Sequence, residues 1–266
     1  MKVLIVGGGG REHALAWKIS QSKLVTKTYV APGNGGTELE ENISNIDIKA
    51  NDIEKLAHFA LTNKIDLTIV GPEDPLVNGI SNKFKSLNLN CFGPSKEAAQ
   101  LEGSKEYMKN FLTRYSIPTA KYETFTDSKQ AISYVKNEGC PIVIKADGLA
   151  AGKGVTVAFK TEEAIEAIKQ SLDNKVFGEA GAKVIIEEFL EGEEASFIVL
   201  TDGDTILPFA SSQDHKARDD KDLGPNTGGM GAYSPAPIVT PDIHSKIMSQ
   251  VIRPTIDGLK LDGHDY

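Results

Sequence analysis

The chain has 266 residues, 40% of them hydrophobic and 25% charged, with a formal net charge of −8. That length allows one large domain or two ordinary ones, and the composition is that of a chain able to bury a core rather than a disordered tail. The acidic balance argues against a general binder of nucleic acid or membrane surfaces, while leaving room for a local basic site that takes a phosphorylated small molecule.

Two cysteines, Cys91 and Cys140, build no disulfide framework and fit a reduced, cytoplasmic protein. Neither sits in a CxxC, and the five histidines show no i, i+4 pair, so a zinc site is not expected. The opening MKVLIVGGGG is too short for a signal peptide, and no apolar run approaches the ~18 residues of a membrane span.

In chain order, Lys2–Val6 is a buried-strand pattern followed by Gly7–Gly10, and His13–Ser20 reads as a helix. Thr28–Val30 is a second strand ending in the loop APGNGGT, Ala31–Thr37. Asp52 caps a helix running to Asn63, with Ile53, Leu56, Ala57 and Ala60 on its apolar face. Leu67–Val70 is a third strand, stopped by the loop Gly71-Pro72-Glu73-Asp74-Pro75. A helix over Val77–Leu87 and a strand over Asn90–Phe92 follow. Strands alternating with helices predict a doubly wound parallel sheet over residues 1–103, with ligands beyond the carboxyl ends of its strands. Those ends are the glycine run, APGNGGT and GPEDP.

From residue 104 the pattern changes to α+β with an antiparallel sheet. Lys105–Tyr115, Ser128–Glu138 and Thr161–Ser171 are helices, the last with Thr161 as its cap. Ile117–Phe125 is extended and interrupted by Pro118, and Pro141–Lys145, Val155–Phe159 and Val184–Glu188 are strands. A third segment, residues 191–266, opens with strands Ala195–Leu200 and Thr205–Ala210 around Asp202-Gly203, a hairpin signal. A long loop, Ser211–Pro237, follows, and Thr240-Pro241 starts a helix to about Arg253.

Four motifs carry chemistry. In GGGGREHA the strand–glycine–helix arrangement offers backbone N–H groups to a phosphate, with Arg11 adding charge. It is not a dinucleotide fingerprint: counting from Gly7 or Gly8, the third glycine position holds Glu12 or His13, and the second strand ends in Ala31-Pro32 with no ribose-binding acid. GLAAGKGV, Gly148–Val155, is not a Walker loop, because its glycine spacer is one residue short and Gly154 stands where the metal-binding Ser/Thr belongs. A glycine lid carrying Lys153 over phosphates fits better, with Lys145 at its entrance. VIIEEFLEGEEAS, Val184–Ser196, leads a strand into an acidic loop that by spacing alone is no metal site. SSQDHKARDDKDLGPNTGGMGAYSP mixes both charge signs with glycines, as a polar small-molecule site would, and carries no G-x-S-x-G elbow.

Taken in order, GGGGREHA, APGNGGT, GPEDPLVNGI, EGSKEYMK, IVIKADGLAAGKGV, IIEEFLEGEEASF and SSQDHKARDDKDLGPNTGGMGAYSP closely resemble the phosphoribosylamine–glycine ligase family of ATP-grasp enzymes, from Met1 to Tyr266. The resemblance implies a pre-ATP-grasp domain followed by an ATP-grasp fold incomplete at its C-terminus, in a cytoplasmic purine-biosynthesis ligase. Its partners would be glycine, 5-phosphoribosylamine and ATP, with no nucleic acid or membrane. Glycine's carboxylate would attack the γ-phosphoryl group to give glycyl phosphate, and the amine would then displace phosphate.

By the same resemblance, Lys105 and Lys145 hold the nucleotide phosphates under a lid of Gly152, Lys153 and Gly154. The backbone carbonyl of Glu187 and the N–H of Leu190 read adenine, and Glu194 takes the ribose hydroxyls. Gly9, Gly10 and Arg11 receive the 5-phosphate of phosphoribosylamine, with Glu12 beside them. Glu73, Asp74 and Asn34 face its ribose. The long loop bridges the substrates: Arg218 is expected on glycine's carboxylate or the acyl phosphate, and Asp214 and Asp222 on amines. Lys216, Asn226, Thr227, Gly228 and Gly229 complete that set, and Lys145, Arg218 and Asp214 form the catalytic group. Ligands for Mg²⁺ or Mn²⁺ are expected beyond residue 266, so the chain reads as an amino-terminal part that binds substrates and turns over poorly alone. The alternatives are another ATP-grasp carboxylate–amine ligase, such as a bicarbonate-dependent one, and a chain that binds nucleotide without turnover.

Overall fold

A computed structural model describes residues 1–148, 154–220, 223–264 and 266. The chain forms two compact units, Met1–Gly103 with His264–Tyr266, and Ser104–Gly263.

The first unit is built on strands β1 (Lys2–Gly7), β2 (Lys27–Pro32), β3 (Ile43–Asn45), β4 (Leu67–Val70) and β5 (Cys91–Phe92). They lie in the order β3-β2-β1-β4-β5, all parallel, with β1 central. The predicted doubly wound sheet is therefore present. The helices are α1 (Gly10–Ser20), α2 (Ile53–Asn63), α3 (Glu73–Val77), α4 (Ile80–Ser86) and α5 (Gln100–Gly103). Side chains of β1 alternate between two cores, as the pleat requires. Leu4 and Val6 pack with Leu56, Ala57 and Ala60 of α2 and Ile80 and Phe84 of α4, while Val3 and Ile5 pack with Ala16 of α1 and Val30.

The second unit contains a four-stranded antiparallel sheet, as expected. After α6 (Lys105–Arg114) come β6 (Tyr122–Phe125), α7 (Ser128–Glu138), β7 (Ile142–Ala146), β8 (Val155–Ala158), α8 (Thr161–Ile168) and β9 (Val184–Glu188). The strand order is β6-β9-β7-β8. Beneath it, Ile142, Ile144, Val184 and Ile186 pack against Ala131 and Val135 of α7 and Ala164 and Ile168 of α8. A hairpin follows, β10 (Val199–Thr201) against β11 (Ile206–Pro208), turning at Asp202-Gly203 as read from the sequence. The chain ends in α9 (Pro241–Ile247), a π turn over Met248–Ile252, and α10 (Arg253–Leu261).

Several local expectations are corrected. The helix over Val77–Leu87 is two helices, α3 and α4, because Gly79 adopts φ +90 between them; α3 also draws Glu73 and Asp74 out of the expected loop and into its first turn. Thr161 is not the cap of α8: Lys160 holds that position, and the Glu163 carboxylate accepts the N–H groups of Phe159 and Lys160. The terminal helix runs past Arg253 to Leu261, since Gly258 packs closely under Phe111 and Tyr115. The expected loop Ser211–Pro237 is a folded-back ribbon. In it β12 (Gln213–Asp214) pairs with β15 (Ala232–Tyr233), and β13 (Ala217–Asp219) pairs with β14 (Leu223–Asn226).

Phe84 is fully buried, so Phe84→Ala is expected to cost about 3–5 kcal/mol in urea unfolding. Asp52 caps α2 by accepting from Lys55 N–H at the surface, so Asp52→Ala should cost about 1 kcal/mol.

Candidate functional site

In the first unit the glycine run and the loops after β2 and β4 are tied together by two polar side chains. Glu12, only 4% exposed, projects back from α1 and accepts the Gly9 N–H at 2.7 Å through Oε2. A Cβ on Gly7 would lie 2.5 Å from its Cγ, and one on Gly71 would lie 2.2 Å from its Oε1. Glycine is required at both places because the carboxylate fills the space between the ends of β1 and β4. Glu12 thus packs where a dinucleotide fold would place its third glycine. One cradle donor, Gly9 N–H, is already engaged. The N–H groups of Gly10 and Arg11 lie in the first turn of α1, where helix geometry provides no intrahelical acceptor.

Asn34 is the second tie. Its Nδ2 donates to Gly8 O at 3.0 Å, and its Oδ1 accepts the N–H groups of Gly36 and Thr37 at 2.8 and 3.0 Å. Its backbone carbonyl accepts from Asn45 Nδ2 at 2.9 Å, and Asn45 lies on β3, a strand the sequence pattern did not reveal. The fold brings Arg11 and Glu73 together: both terminal nitrogens of Arg11 donate to Glu73 Oε1 at 3.1 Å. Burial pushes the Glu73 carboxyl up, but a backbone N–H and the Arg11 guanidinium outweigh it and hold the group below the usual carboxylate range. The hydrogen bond to Glu73 raises Arg11 in turn. Asp74 is exposed on the first turn of α3.

In the second unit α6 begins at Ser104, whose Oγ accepts Tyr107 N–H. Asp147, at the end of β7, adds a second cap. Its Oδ1 accepts Glu106 N–H at 2.8 Å and Ser104 Oγ–H at 3.1 Å. The ammonium of Lys105 donates to the carbonyls of Asp147 and Gly148 at 3.4 and 3.3 Å. Lys105 therefore stands beside Gly148, where the glycine-rich segment begins. Gly152 and Lys153 lie outside the described residues, while Gly154 O accepts Ala146 N–H at 2.8 Å.

Lys145, on β7, donates to Glu187 Oε2 of the adjoining β9 at 2.9 Å. The same oxygen lies 3.1 Å from Lys109 Nζ of α6. The family resemblance implies a role for the Glu187 backbone and none for Lys109. The only signal for Lys109 was its place one helical turn after Lys105 in EGSKEYMK. Leu190 is exposed two residues beyond β9, and Phe189 stacks edge-on to Phe159 with ring centroids 5.6 Å apart.

The ribbon brings some of its expected site residues together. Lys216 donates to Glu194 Oε1 at 2.7 Å, which raises its ammonium above the usual range. Lys216 O accepts Thr227 N–H, and Thr227 Oγ1 accepts Gly229 N–H at 3.0 Å. The Asp214 carboxylate packs against Gly229, and Gly228 is exposed beside it. Arg218 is turned to its own neighbour: Nε and Nη2 bind the Asp219 carboxylate at 2.8 and 3.0 Å. Asn226 O and N lie on β14, opposite Ala217, and Asp222 lies outside the described residues. Among the described residues, no group of three or more His, Cys, Asp or Glu side chains is placed to hold a metal ion. No helix among them is long and apolar enough to cross a membrane.

The architecture and the motifs agree with the relatives of this chain. The chain is 58% identical, over all 266 residues, to phosphoribosylamine–glycine ligase of Pasteurella multocida, and spans 62% of that protein's length. A crystal structure of phosphoribosylamine–glycine ligase from Thermotoga maritima superposes with a TM-score of 0.79 at 32% identity, over 100% of this chain and 63% of that one. The biotin carboxylase domain of Hydrogenobacter thermophilus 2-oxoglutarate carboxylase, solved with ADP, magnesium and bicarbonate, shares the fold at a TM-score of 0.74. Its identity is 18%, over 97% of this chain and 58% of that one. Two family models account for the sequence end to end, the phosphoribosylglycinamide synthetase N domain over residues 1–102 and its ATP-grasp (A) domain over residues 103–266. The chain belongs to the phosphoribosylglycinamide synthetase family.

Proposed function

We propose that this chain carries the substrate- and nucleotide-binding part of a ligase that joins glycine to 5-phosphoribosylamine with ATP, in purine biosynthesis. The observation that carries the reading is the unbroken match to both family domains, with 58% identity to a phosphoribosylamine–glycine ligase over every residue of the chain. In this reading glycine's carboxylate oxygen attacks the γ-phosphorus and ADP leaves. The amine nitrogen of phosphoribosylamine then attacks the carbonyl carbon of glycyl phosphate, and phosphate leaves with the old C–O bonding pair.

Phosphoryl transfer needs cations around the moving charge and reactants held in line. Lys145 and Lys105 are assigned to the nucleotide phosphates, with Gly152, Lys153 and Gly154 as the lid. The segment from Glu187 to Leu190 is assigned to adenine and Glu194 to its ribose. In the first unit, Gly10 and Arg11 are assigned to the 5-phosphate, and Glu73, Asp74 and Asn34 to the phosphoribosylamine ribose, with Asn34 acting chiefly by holding the loop shape. Glu12 acts from beneath as the prop of the turn. Asp214, Lys216 and Arg218 are assigned to glycine and the acyl phosphate; the surface pair of Arg218 with Asp219 opens at little cost. A divalent cation would stabilise the transferring phosphoryl group. The described residues offer no ligand set for it, so none is assigned one.

ADP release by the natural protein should depend on glycine together with phosphoribosylamine. Release driven instead by bicarbonate would overturn the reading in favour of a carboxylase-type enzyme. Lys145→Ala should weaken ATP binding by about tenfold or more in calorimetry, the worth of a charge-assisted contact to phosphate. Arg11→Ala should raise the KM for phosphoribosylamine by about tenfold and leave that for ATP unchanged, since its contact is to the other substrate's phosphate.

A further inference from the structure

The pair formed by Lys145 and Glu187 poses a problem of charge. Glu187 is 5% exposed, and one of its oxygens, Oε1, has no hydrogen-bond partner among the described residues. A carboxylate so far from water attracts a neighbouring ammonium strongly, because little solvent screens it. Facing Lys145 alone, it would cancel that lysine's charge and draw its head inward. A lysine neutralised in this way has little to offer a phosphate.

Lys109 changes the balance. It is 2% exposed, and its Nζ lies 3.1 Å from the same Glu187 Oε2 that Lys145 uses. This ammonium also donates to Thr119 Oγ1 at 2.7 Å and the Ala120 carbonyl at 3.3 Å, and lies 5.4 Å from the centre of the Tyr122 ring. Two hydrogen bonds and the ion pair with Glu187 thus engage Lys109 inside the unit. Lys145 differs: its side chain is 27% exposed, and Glu187 is its acceptor on the inner side. Two ammonium groups sharing one carboxylate sum to a single positive charge, and Lys145 is the member that reaches the surface.

We propose that Lys109 is a positioning residue for nucleotide binding. It neutralises the buried Glu187 carboxylate from behind, so that Glu187 orients Lys145 without consuming the charge Lys145 presents to a phosphate. The proposal rests on the reading of Lys145 as a phosphate ligand. Lys109 itself touches no substrate.

The test is a set of variants in the natural full-length protein, with ADP and adenosine binding measured by calorimetry. Lys109→Met should weaken ADP binding by about tenfold, the scale of one charge-assisted contact, and leave adenosine binding unchanged. Adding Glu187→Gln to that variant should restore ADP affinity to within about threefold of the parent, because it removes the charge that Lys109 had offset. A packing role predicts the reverse: the second substitution would deepen the loss, and adenosine binding would fall in parallel. Either result overturns the proposal. Thr119→Val, which removes one anchor of Lys109 and no charge, should give a smaller loss of the same phosphate-selective kind, and supplies the test if Lys109→Met does not fold. If Lys145→Ala leaves ADP affinity unchanged, the phosphate reading of Lys145 itself is what fails.

Discussion

A carboxylate withdrawn from water has to be surrounded by groups that replace water, and Glu187, 5% exposed, imposes that requirement on the second unit. It sits on β9, flanked by β6 and β7, and each neighbouring element contributes to its surroundings. β7 supplies Lys145, and α6 supplies Lys109. The segment leading into β6 supplies Thr119 and Ala120, which hold Lys109 in place. Breaking such a buried pair by removing one partner typically costs about 3–5 kcal/mol. The arrangement therefore locks α6, β7 and β9 to one another at the point where Lys145 reaches the surface.

The first unit solves a similar problem with fewer charges. Glu12 is buried under a turn made of glycines, with a backbone N–H as its principal donor. Its bulk occupies the volume that side chains at Gly7 and Gly71 would need. Glu12 packs at the carboxyl ends of the paired strands β1 and β4, and Asn34 binds the loop after β2 to the same turn. The glycine turn is thus shaped from beneath by Glu12 and Asn34, which bind backbone groups, while Glu12 Oε1 has no hydrogen-bond partner among the described residues. The donors of the first helical turn are left pointing outward.

The ribbon over residues 213–233 is different in kind. Its ion pairs, Lys216 with Glu194 and Arg218 with Asp219, are formed by side chains that are about half exposed. Such pairs contribute at most about 1 kcal/mol each. They hold these cations and anions near one another and open at small cost. The charge centre around Glu187 is buried, while the pairs on the ribbon lie at the surface.

Much of this was legible in the sequence, because much of it is local. The cap of α2 at Asp52, the strand Leu67–Val70, the helix Ser128–Glu138 and the strand Val184–Glu188 follow from spacing and capping within a dozen residues. The doubly wound order followed from alternation of strands and helices, and the family from seven motifs in order. What the sequence did not disclose depends on partners far along the chain. β3 is three residues long and exists by pairing with β2. The ribbon was hidden because its strands carry charges rather than an apolar alternation, and cross-strand hydrogen bonds rather than burial hold them. Glu12 looked like a failed fingerprint until Gly71, fifty-nine positions away, was seen to make room for it. Lys109 looked like one more helix lysine until folding set it beside Glu187, seventy-eight positions on. Sequence by itself determined most of the helices, the longer apolar strands and the family, since these rest on short-range periodicity and motif spacing. Only the tertiary structure decided which charges are buried and which of them meet, because a side chain's electrostatic role is set by its distance from water and from charges the chain brings back from afar.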